Sequence, residues 1–215
     1  MGGMTRNLII GASGGIGAAM AQAAAGDVVG LSRRNDGLDV TNPDSVAAVL
    51  GGLDGVFDKV VVAIGSLGTP EKSLSAIKAS AMLDVIAVNA VGPALILRHL
   101  PQLLAPQGRV AVLSARVGSI GDNTIGGWHS YRASKAALNQ IVHGAAIELA
   151  RTHKGSVCVA LHPGTVATPF TANYAGRHKT VTPEVAATNL WRVIDGLAPA
   201  QTGGFYDYAG EVIPW

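Results

Sequence analysis

Short apolar runs alternate with longer alanine-rich stretches along the whole chain. The apolar runs predict six strands, over residues 7–10, 28–31, 59–64, 109–113, 157–161 and 204–208. Their hydrophobicity is continuous rather than alternating, which is typical of strands covered on both faces in a parallel sheet. The stretches between them predict helices over residues 14–25, 45–53, 75–104, 130–152 and 183–197. These helices would supply the crossovers that a parallel sheet needs.

The pattern therefore predicts one α/β domain with a doubly wound, mainly parallel sheet flanked by helices. Two helix starts carry a proline suited to the first turn, Pro43 after Asn42 and Pro183 after Thr182, so these two preceding residues are the expected N-caps. A length of 215 residues suits a single domain over the whole chain, 1–215. Residues 1–3 are left out of the predicted fold as a start-site remnant or a disordered end.

Composition narrows the classes of function. The net charge is only +2 and the basic residues are scattered apart from Arg33 and Arg34, so no nucleic-acid partner is expected. Only 14% of the residues are charged and 48% are hydrophobic, which favours a homodimer or homotetramer that hides surface between copies. The single cysteine, Cys158, lies in an apolar run and is expected to be a buried core residue of a cytoplasmic protein. The six histidines lack the spacing of a ligand set, so no metal is expected.

The N-terminal apolar stretch superficially resembles a signal peptide. Four glycines between Gly11 and Gly17 break its apolar segment, and the following run 28–31 pairs with it as a second strand. No apolar run approaches the roughly 20 residues of a membrane span. We therefore expect neither a signal peptide nor a membrane partner.

Tyr131 and Lys135 are the most informative pair of polar residues. They are four positions apart at the start of a predicted helix, so their side chains should lie on one face about one turn apart. A phenol ordinarily titrates near a pKa of about 10, too high for acid-base chemistry at neutral pH, and a neighbouring ammonium would lower that value. The spacing therefore predicts an acid-base site, although an ordinary surface tyrosine and lysine would give the same pattern.

A glycine-rich turn follows the first predicted strand and opens the first helix. It consists of Gly11, Ala12, Ser13, Gly14, Gly15, Ile16 and Gly17. Glycines permit a tight turn and let a phosphate approach the free N–H groups of a helix N-terminus. The turn therefore predicts a nucleotide phosphate site.

The residues after the second strand predict which nucleotide binds. Ser32, Arg33 and Arg34 stand where an acidic side chain would usually bind a free ribose 2′-hydroxyl. A guanidinium instead suits a 2′-phosphate, so NADP(H) is expected in preference to NAD(H), which stays the alternative. Asp39 and Val40 follow as a turn suited to the adenine amino group, and the gap before them is too short for a helix.

The motifs and their order along the chain resemble those of the short-chain dehydrogenase/reductase family, and the resemblance covers nearly the whole chain. The matching segments are the glycine-rich turn, Asp39-Val40, Asn89 within 88–92, the Tyr131/Lys135 pair and Pro163-Gly-Thr-Val-Ala-Thr168. Within the family, segments 114–123, 126–128 and 131–139 and the terminal Pro214-Trp215 resemble the C-factor and sniffer-type carbonyl reductase branch. The resemblance implies a Rossmann-type fold and an NADP(H)-dependent oxidoreductase.

The resemblance also implies roles for individual residues. Tyr131 would give a proton to a substrate carbonyl oxygen or take it from an alcohol, and Lys135 would lower the phenol pKa and hold the nicotinamide ribose. Asn89 would keep a water chain to Lys135. The remaining implied cofactor contacts are Ala63 and Gly65 after the third strand, and Pro163, Gly164, Val166 and Thr168 after the fifth.

Three departures from the family pattern affect the implied site. The second of two adjacent serines after the fourth strand is Ala115, which leaves Ser114 or Ser119 to bind the substrate oxygen. The usual Asn-Asn-Ala-Gly after the third strand is replaced by residues 62–65, of which only the glycine matches. The segment between Thr168 and Thr182 is short, which suggests an open pocket. Its expected walls are Trp128, Phe170 and Tyr174, with His178 nearby.

Two functions stay open at this point. The first is an NADP(H)-dependent reductase of small aldehydes, ketones or quinone-like dicarbonyls. The second is a nucleotide-dependent sensor or signalling protein of C-factor type, which Ala115 favours because a missing donor would slow turnover. The physiological substrate and the direction of the reaction are not specified by any motif.

Overall fold

A six-stranded parallel sheet forms the centre of the protein in the computed structural model, which describes residues 4–172 and 180–215. The strands are β1 Arg6–Ile10, β2 Asp27–Leu31, β3 Phe57–Val62, β4 Leu104–Leu113, β5 Val157–His162 and β6 Phe205–Asp207. Their order across the sheet is β2-β1-β3-β4-β5-β6, and every pairing is parallel. The predicted doubly wound α/β architecture is confirmed.

The helices cover both faces of this sheet. They are α1 Gly15–Ala23, α2 Arg33–Asp36, α3 Pro43–Gly51, α4 Ala79–Ile86, α5 Gly92–Leu97, α6 Leu100–Leu103, α7 His129–Thr152 and α8 Pro183–Gly196. One apolar core, which includes Leu8, Val60 and Leu138, fills one face, and a second core with Ile9, Val61 and Leu190 fills the other. Neighbouring strand residues point to opposite faces, so the continuous apolar runs supply both cores.

The predicted helix over 75–104 is instead divided into several pieces. A 3₁₀ turn at Leu74–Ala76 precedes α4, a π-helical turn at Ala87–Val91 joins α4 to α5, and α6 follows a break. β4 begins at Leu104, five residues before the predicted start, because Leu104 pairs with Phe57 ahead of an irregularity in the register. The prediction of one helix over the whole range was wrong, although the chain is helical from Ala79 to Leu97 and includes a π-helical turn that carries Asn89.

The segment after β2 also differs from its prediction. Four residues form α2 there, with the Ser32 hydroxyl accepting a hydrogen bond from Asn35 N–H at its start. The gap was therefore long enough for one helical turn. Gly37 ends the turn with a left-handed backbone, φ 68°, which glycine adopts without a steric cost. The two predicted N-caps, Asn42 on α3 and Thr182 on α8, each accept a bond from the first turn.

The run Ala79–Leu97 is long and apolar enough, by length and composition, to cross a membrane. This corrects the expectation that no apolar run approaches that length. Part of its surface is buried inside the protein, where Asn89, Ala90 and Ile96 are almost inaccessible. Core helices have the same length and composition, so the run alone is weak support for a membrane contact.

Candidate active site

The predicted site residues converge at the carboxyl ends of the central strands. β1 and β3 are neighbours, but the chain leaves β1 for β2 on one side before it returns to β3 on the other. Doubly wound sheets bind ligands outside the strand ends at such a reversal. The glycine-rich turn follows β1, Ala63 and Gly65 follow β3, and Pro163 follows β5.

The glycine-rich turn is packed too tightly for larger residues. A Cβ on Gly11 would lie 2.4 Å from the Ala63 carbonyl oxygen, and one on Gly17 would lie 2.2 Å from the Gly11 carbonyl oxygen. Gly11 also has a positive φ of 95°. A Cβ on Gly15 would lie 2.7 Å from the Thr168 methyl carbon, which brings the loop after β5 against the start of α1.

Gly14 and Gly15 place no side chain at the start of α1. The geometry fits the pyrophosphate of a dinucleotide, because a phosphate must come close to main-chain N–H groups. Ser13 and Gly14 are exposed at the turn, and Ile16 is half-buried behind it. The structure thus brings the predicted phosphate residues together with Thr168.

The segment after β2, which the sequence predicted to bind the ribose, contains a hydrogen-bond network that the sequence did not reveal. The Asp36 carboxylate accepts a hydrogen bond from the N–H of Ser32 at 2.7 Å, so this acid binds the residue that caps the start of α2. Arg33 and Arg34 are exposed. Hydrogen bonds from Thr41 lower the pKa of Asp39, and the positive charge of Arg33 contributes in the same direction.

Tyr131 and Lys135 lie on the first turns of α7, and both side chains are buried. The Lys135 ammonium donates a hydrogen bond to the Leu113 carbonyl at 2.9 Å. Burial lowers the pKa of Lys135 to about 8, and burial raises the pKa of the Tyr131 phenol above its ordinary value. The expectation of a lowered phenol pKa is therefore not met in the protein alone, because desolvation disfavours both charged forms.

Asn89 connects the loop after β3 to α7. Its side-chain oxygen accepts Ser66 N–H at 2.6 Å, while its amide nitrogen donates to the Ser66 carbonyl and to the Ser134 hydroxyl. A Cβ on Gly65 would lie 3.4 Å from the Asn89 oxygen and 3.6 Å from Lys135 Nζ. Asn89, Gly65 and Lys135 therefore lie close together.

Ser114, a predicted ligand of the substrate oxygen, is buried. Its hydroxyl donates to the Asn139 side-chain oxygen at 2.6 Å, which ties the end of β4 to the body of α7. Ala115, the next residue, packs against Tyr131 in a small apolar cluster with Val85. Ser119, the other predicted substitute, accepts a hydrogen bond from Asp122 N–H.

Two of the predicted pocket walls contact the phenol ring. The Trp128 ring lies edge-on to Tyr131, and the Phe170 ring is tilted against its other side, each with centroids 6.2 Å away. Tyr174 and His178 lie outside the described residues. Across residues 4–172 and 180–215, no group of three or more His, Cys, Asp or Glu side chains is placed to hold a metal ion.

Two site residues were not predicted, Asp36 and Glu71. Asp36 follows the arginine pair and could have been noticed as an acid near the ribose position. Glu71 binds the start of α7 from a loop 59 residues earlier, and no local pattern marks it. Such a contact depends on tertiary structure alone.

Comparisons with known proteins agree with this geometry. Residues 36–196 match the family model described as enoyl-(acyl carrier protein) reductase. The chain is 36% identical over 182 residues to a 1-hydroxy-2-glutathionyl-2-methyl-3-butene dehydrogenase of Rhodococcus sp. strain AD45, a match that covers 83% of this chain and 79% of that protein.

Two further similarities bear on the nucleotide and on signalling. The chain is 40% identical over 138 residues to the C-signal protein of Myxococcus xanthus, covering 62% of this chain and 78% of that one. A crystal structure from Burkholderia multivorans, described as a short-chain dehydrogenase/reductase with bound NADP, superposes with a TM-score of 0.85 at 28% identity. That superposition covers 99% of this chain and 100% of the other.

Proposed function

The chain belongs to the short-chain dehydrogenase/reductase family, and from this premise we propose that it is an NADP(H)-dependent oxidoreductase acting on small carbonyl or alcohol substrates. Its substrates would be aldehydes, ketones or quinone-like dicarbonyls. The observation that carries the proposal is the buried Tyr131/Lys135 pair, which lies at the same sheet edge as a glycine turn shaped for a pyrophosphate.

The glycine-rich turn and Thr168 would hold the pyrophosphate, and Asp39 with Val40 would border the adenine. Ser32, Arg33 and Arg34 would bind the 2′-phosphate, a choice supported by the NADP bound to the Burkholderia protein. Ala63, Gly65, Pro163, Gly164 and Val166 would line the nicotinamide end. When bound, NADPH supplies the hydride. Arg33→Ser should weaken NADPH binding about tenfold and leave NADH binding unchanged, since only the phosphate contact is lost.

Tyr131 would donate its proton to the carbonyl oxygen of the substrate, or accept a proton from an alcohol in the reverse direction. Lys135 lies one turn further along α7, and its ammonium would favour the phenolate that remains. Because burial alone raises the phenol pKa, this assistance matters more here than at an exposed tyrosine. Asn89 keeps the loop after β3 at a fixed distance from α7, and so would hold a water chain to Lys135.

The apolar surroundings of Tyr131 bear on the substrate class. Of the nearby serines, Ser114, Ser130 and Ser134 donate their hydroxyl protons to Asn139, Glu71 and the Tyr131 carbonyl respectively. A positioned second donor is worth about 2.7–4 kcal/mol to a developing oxyanion. We therefore expect activated carbonyls, such as dicarbonyls and quinones, to react faster than simple ketones, with Ser114 in a structural rather than a catalytic role.

The test is NADPH oxidation against a panel of aldehydes, ketones and quinones, with Tyr131→Phe measured beside the native protein. Loss of the hydroxyl should abolish turnover and leave the dissociation constant of NADPH within about twofold, because the phenol is not needed for phosphate binding. Turnover that survives in Tyr131→Phe would remove tyrosine as the acid.

A second candidate function is signalling, in which another macromolecule binds the protein only in its nucleotide-bound form. Ala115 beside Tyr131 and the 40% identity to C-signal favour it. It predicts tight NADPH binding without turnover, and a partner captured from lysate only in the presence of NADP(H). Capture that does not depend on the nucleotide would count against it.

We also propose that the protein works in the cytoplasm as a homodimer or homotetramer. The outer face of α7 carries small residues, including Ala133 and Ala137, and Leu83 and Val91 are exposed on the neighbouring helical run. Small residues allow two helices to approach closely. Light scattering that gives a monomer at micromolar concentration would contradict this assembly.

A further inference from the structure

The start of α7 is held by a loop that no sequence motif marks. Glu71 lies between β3 and α4, and only 7% of its surface is exposed. Its carboxylate accepts hydrogen bonds from both polar groups of Ser130, the backbone N–H at 3.1 Å and the hydroxyl. The main-chain carbonyl of Glu71 accepts a further bond from Trp128 N–H at 2.6 Å.

These bonds replace a cap that α7 lacks. The first N–H groups of a helix have no partner within it, and a side chain at the N-cap usually accepts one of them. Trp128 occupies the N-cap of α7 with a left-handed backbone, φ 53° and ψ 40°, and its side chain makes no capping bond. The carboxylate of Glu71 reaches the helix from a different loop and accepts the N–H of Ser130 instead.

The turn that leads into α7 is itself strained. Gly126 and Gly127 have positive φ values of 69° and 66°, so Trp128 is the third consecutive residue in the left-handed region. A non-glycine residue holds this conformation only when its surroundings fix it. Arg132 binds the carbonyls of both glycines, and Glu71 binds Trp128 and Ser130 from the other direction.

The charge of Glu71 suits this position. Burial alone would raise the pKa of its carboxyl, but hydrogen bonds from Ser130 and from its own backbone bring the pKa below its ordinary value. The group is therefore ionised at neutral pH. A negative charge near the N-terminus of a 24-residue helix is favourable because it faces the positive end of the helix dipole.

We propose that Glu71 is a positioning residue for the reaction, and this rests on the function proposed above. Tyr131 directly follows Ser130, and its ring lies against Trp128. By fixing both residues, Glu71 sets where the phenol hydroxyl points without touching the substrate. A shift of about 1 Å in a reacting group can cost about 100-fold in rate, so a loose first turn should lower kcat.

Loss of the Glu71 carboxylate should lower kcat and leave cofactor binding unchanged, because other contacts hold the glycine-rich turn. Glu71→Ala should lower kcat about 10- to 100-fold and change the KM for NADPH less than about twofold. Glu71→Gln should keep kcat within about threefold, because its amide oxygen can still accept Ser130 N–H and its NH₂ can donate to the hydroxyl.

Leu149→Ala is the matched control, because Leu149 is buried at the far end of the same helix. It should lower the melting temperature at least as much as Glu71→Ala and keep kcat within about twofold. The proposal is overturned if Glu71→Ala keeps native kcat, or if Leu149→Ala loses as much kcat. Should Glu71→Ala not fold, Ser130→Ala removes one of the two carboxylate bonds, and native kcat in that variant overturns the proposal equally.

Hydrogen exchange separates this proposal from the proposed function. Amides of residues 129–133 should exchange faster in Glu71→Ala than in the native protein, and Leu149→Ala should leave them unchanged. If the native protein reduces no carbonyl, the oxidoreductase proposal fails while faster exchange still supports the capping contact. Unchanged exchange in Glu71→Ala overturns the positioning role whether or not the protein has turnover.

Discussion

Lys135 should make the protein less stable than it would be with an apolar residue at that position. Its ammonium is 3% exposed, and its pKa is lowered by burial from an ordinary 10.5 to about 8. At 1.36 kcal/mol per pH unit, this difference corresponds to about 3 kcal/mol of unfavourable free energy while the group is charged. Replacing it with methionine removes that penalty and also removes the hydrogen bond that the ammonium donates to the Leu113 carbonyl, worth about 1.5 kcal/mol at the low end for a charged group.

Lys135→Met should therefore raise the free energy of unfolding by about 2 kcal/mol at pH 7, or the melting temperature by about 4–8 °C for a chain of this size. Turnover should be lost in the same variant. The pH dependence follows from the two pKa values. The unfolded chain keeps the lysine proton up to about 10.5 and the folded chain releases it near 8, so native stability rises with pH between these values.

The assay is urea unfolding of both proteins at pH 7 and pH 10, at one protein concentration. The stability advantage of Lys135→Met should shrink at pH 10, because the native lysine is then mostly neutral. Lys154→Met is the control, since Lys154 is exposed, and it should show no such pH-dependent difference. A Lys135→Met variant that is less stable than the native protein at pH 7, or an advantage equal at both pH values, would refute the reasoning.

Two further substitutions test the cofactor and substrate ends of the site. Gly17→Ala should weaken NADPH binding at least about tenfold by fluorescence titration, because its Cβ would lie 2.2 Å from the Gly11 carbonyl; Gly196→Ala, with open space around it, should bind normally. Ala115→Ser places a hydroxyl beside Tyr131 and should raise kcat for a simple ketone by up to about 100-fold, and by less for an activated dicarbonyl. Equal gains for the two substrates, or none, would show that position 115 does not face the substrate oxygen.

The sheet and the glycine-rich turn could be predicted from sequence because each depends on local information. All six strands were found from continuous apolar runs, and the glycine turn was identified from its place between a strand and a helix. The run 75–104 was predicted as one helix because apolar residues continue through it. Its π-helical turn at Ala87–Val91 coincides with hydrogen bonds between Asn89 and Ser66, a partner 23 residues away.

The orientation of side chains was harder to predict for the same reason. Ser114 is next to Ala115, and sequence alone left it as a candidate for binding the substrate oxygen. In the structure, the Ser114 hydroxyl donates a hydrogen bond to the side chain of Asn139, which lies 25 residues later on α7. The pKa of Tyr131 likewise depends on how deeply the ring is buried. The spacing of Tyr131 and Lys135 in the sequence does not reveal that burial.

The most direct measurement of the central claim is the transfer of deuterium to a reactive dicarbonyl from NADPH that carries deuterium at both hydrogens of the nicotinamide C4. The native protein should give an alcohol with one deuterium on the former carbonyl carbon, and Tyr131→Phe should give no product while it still binds the labelled nucleotide. An alcohol without deuterium, or no reduction by a native protein that binds NADPH tightly, would contradict hydride transfer and leave the nucleotide-dependent signalling role as the better account.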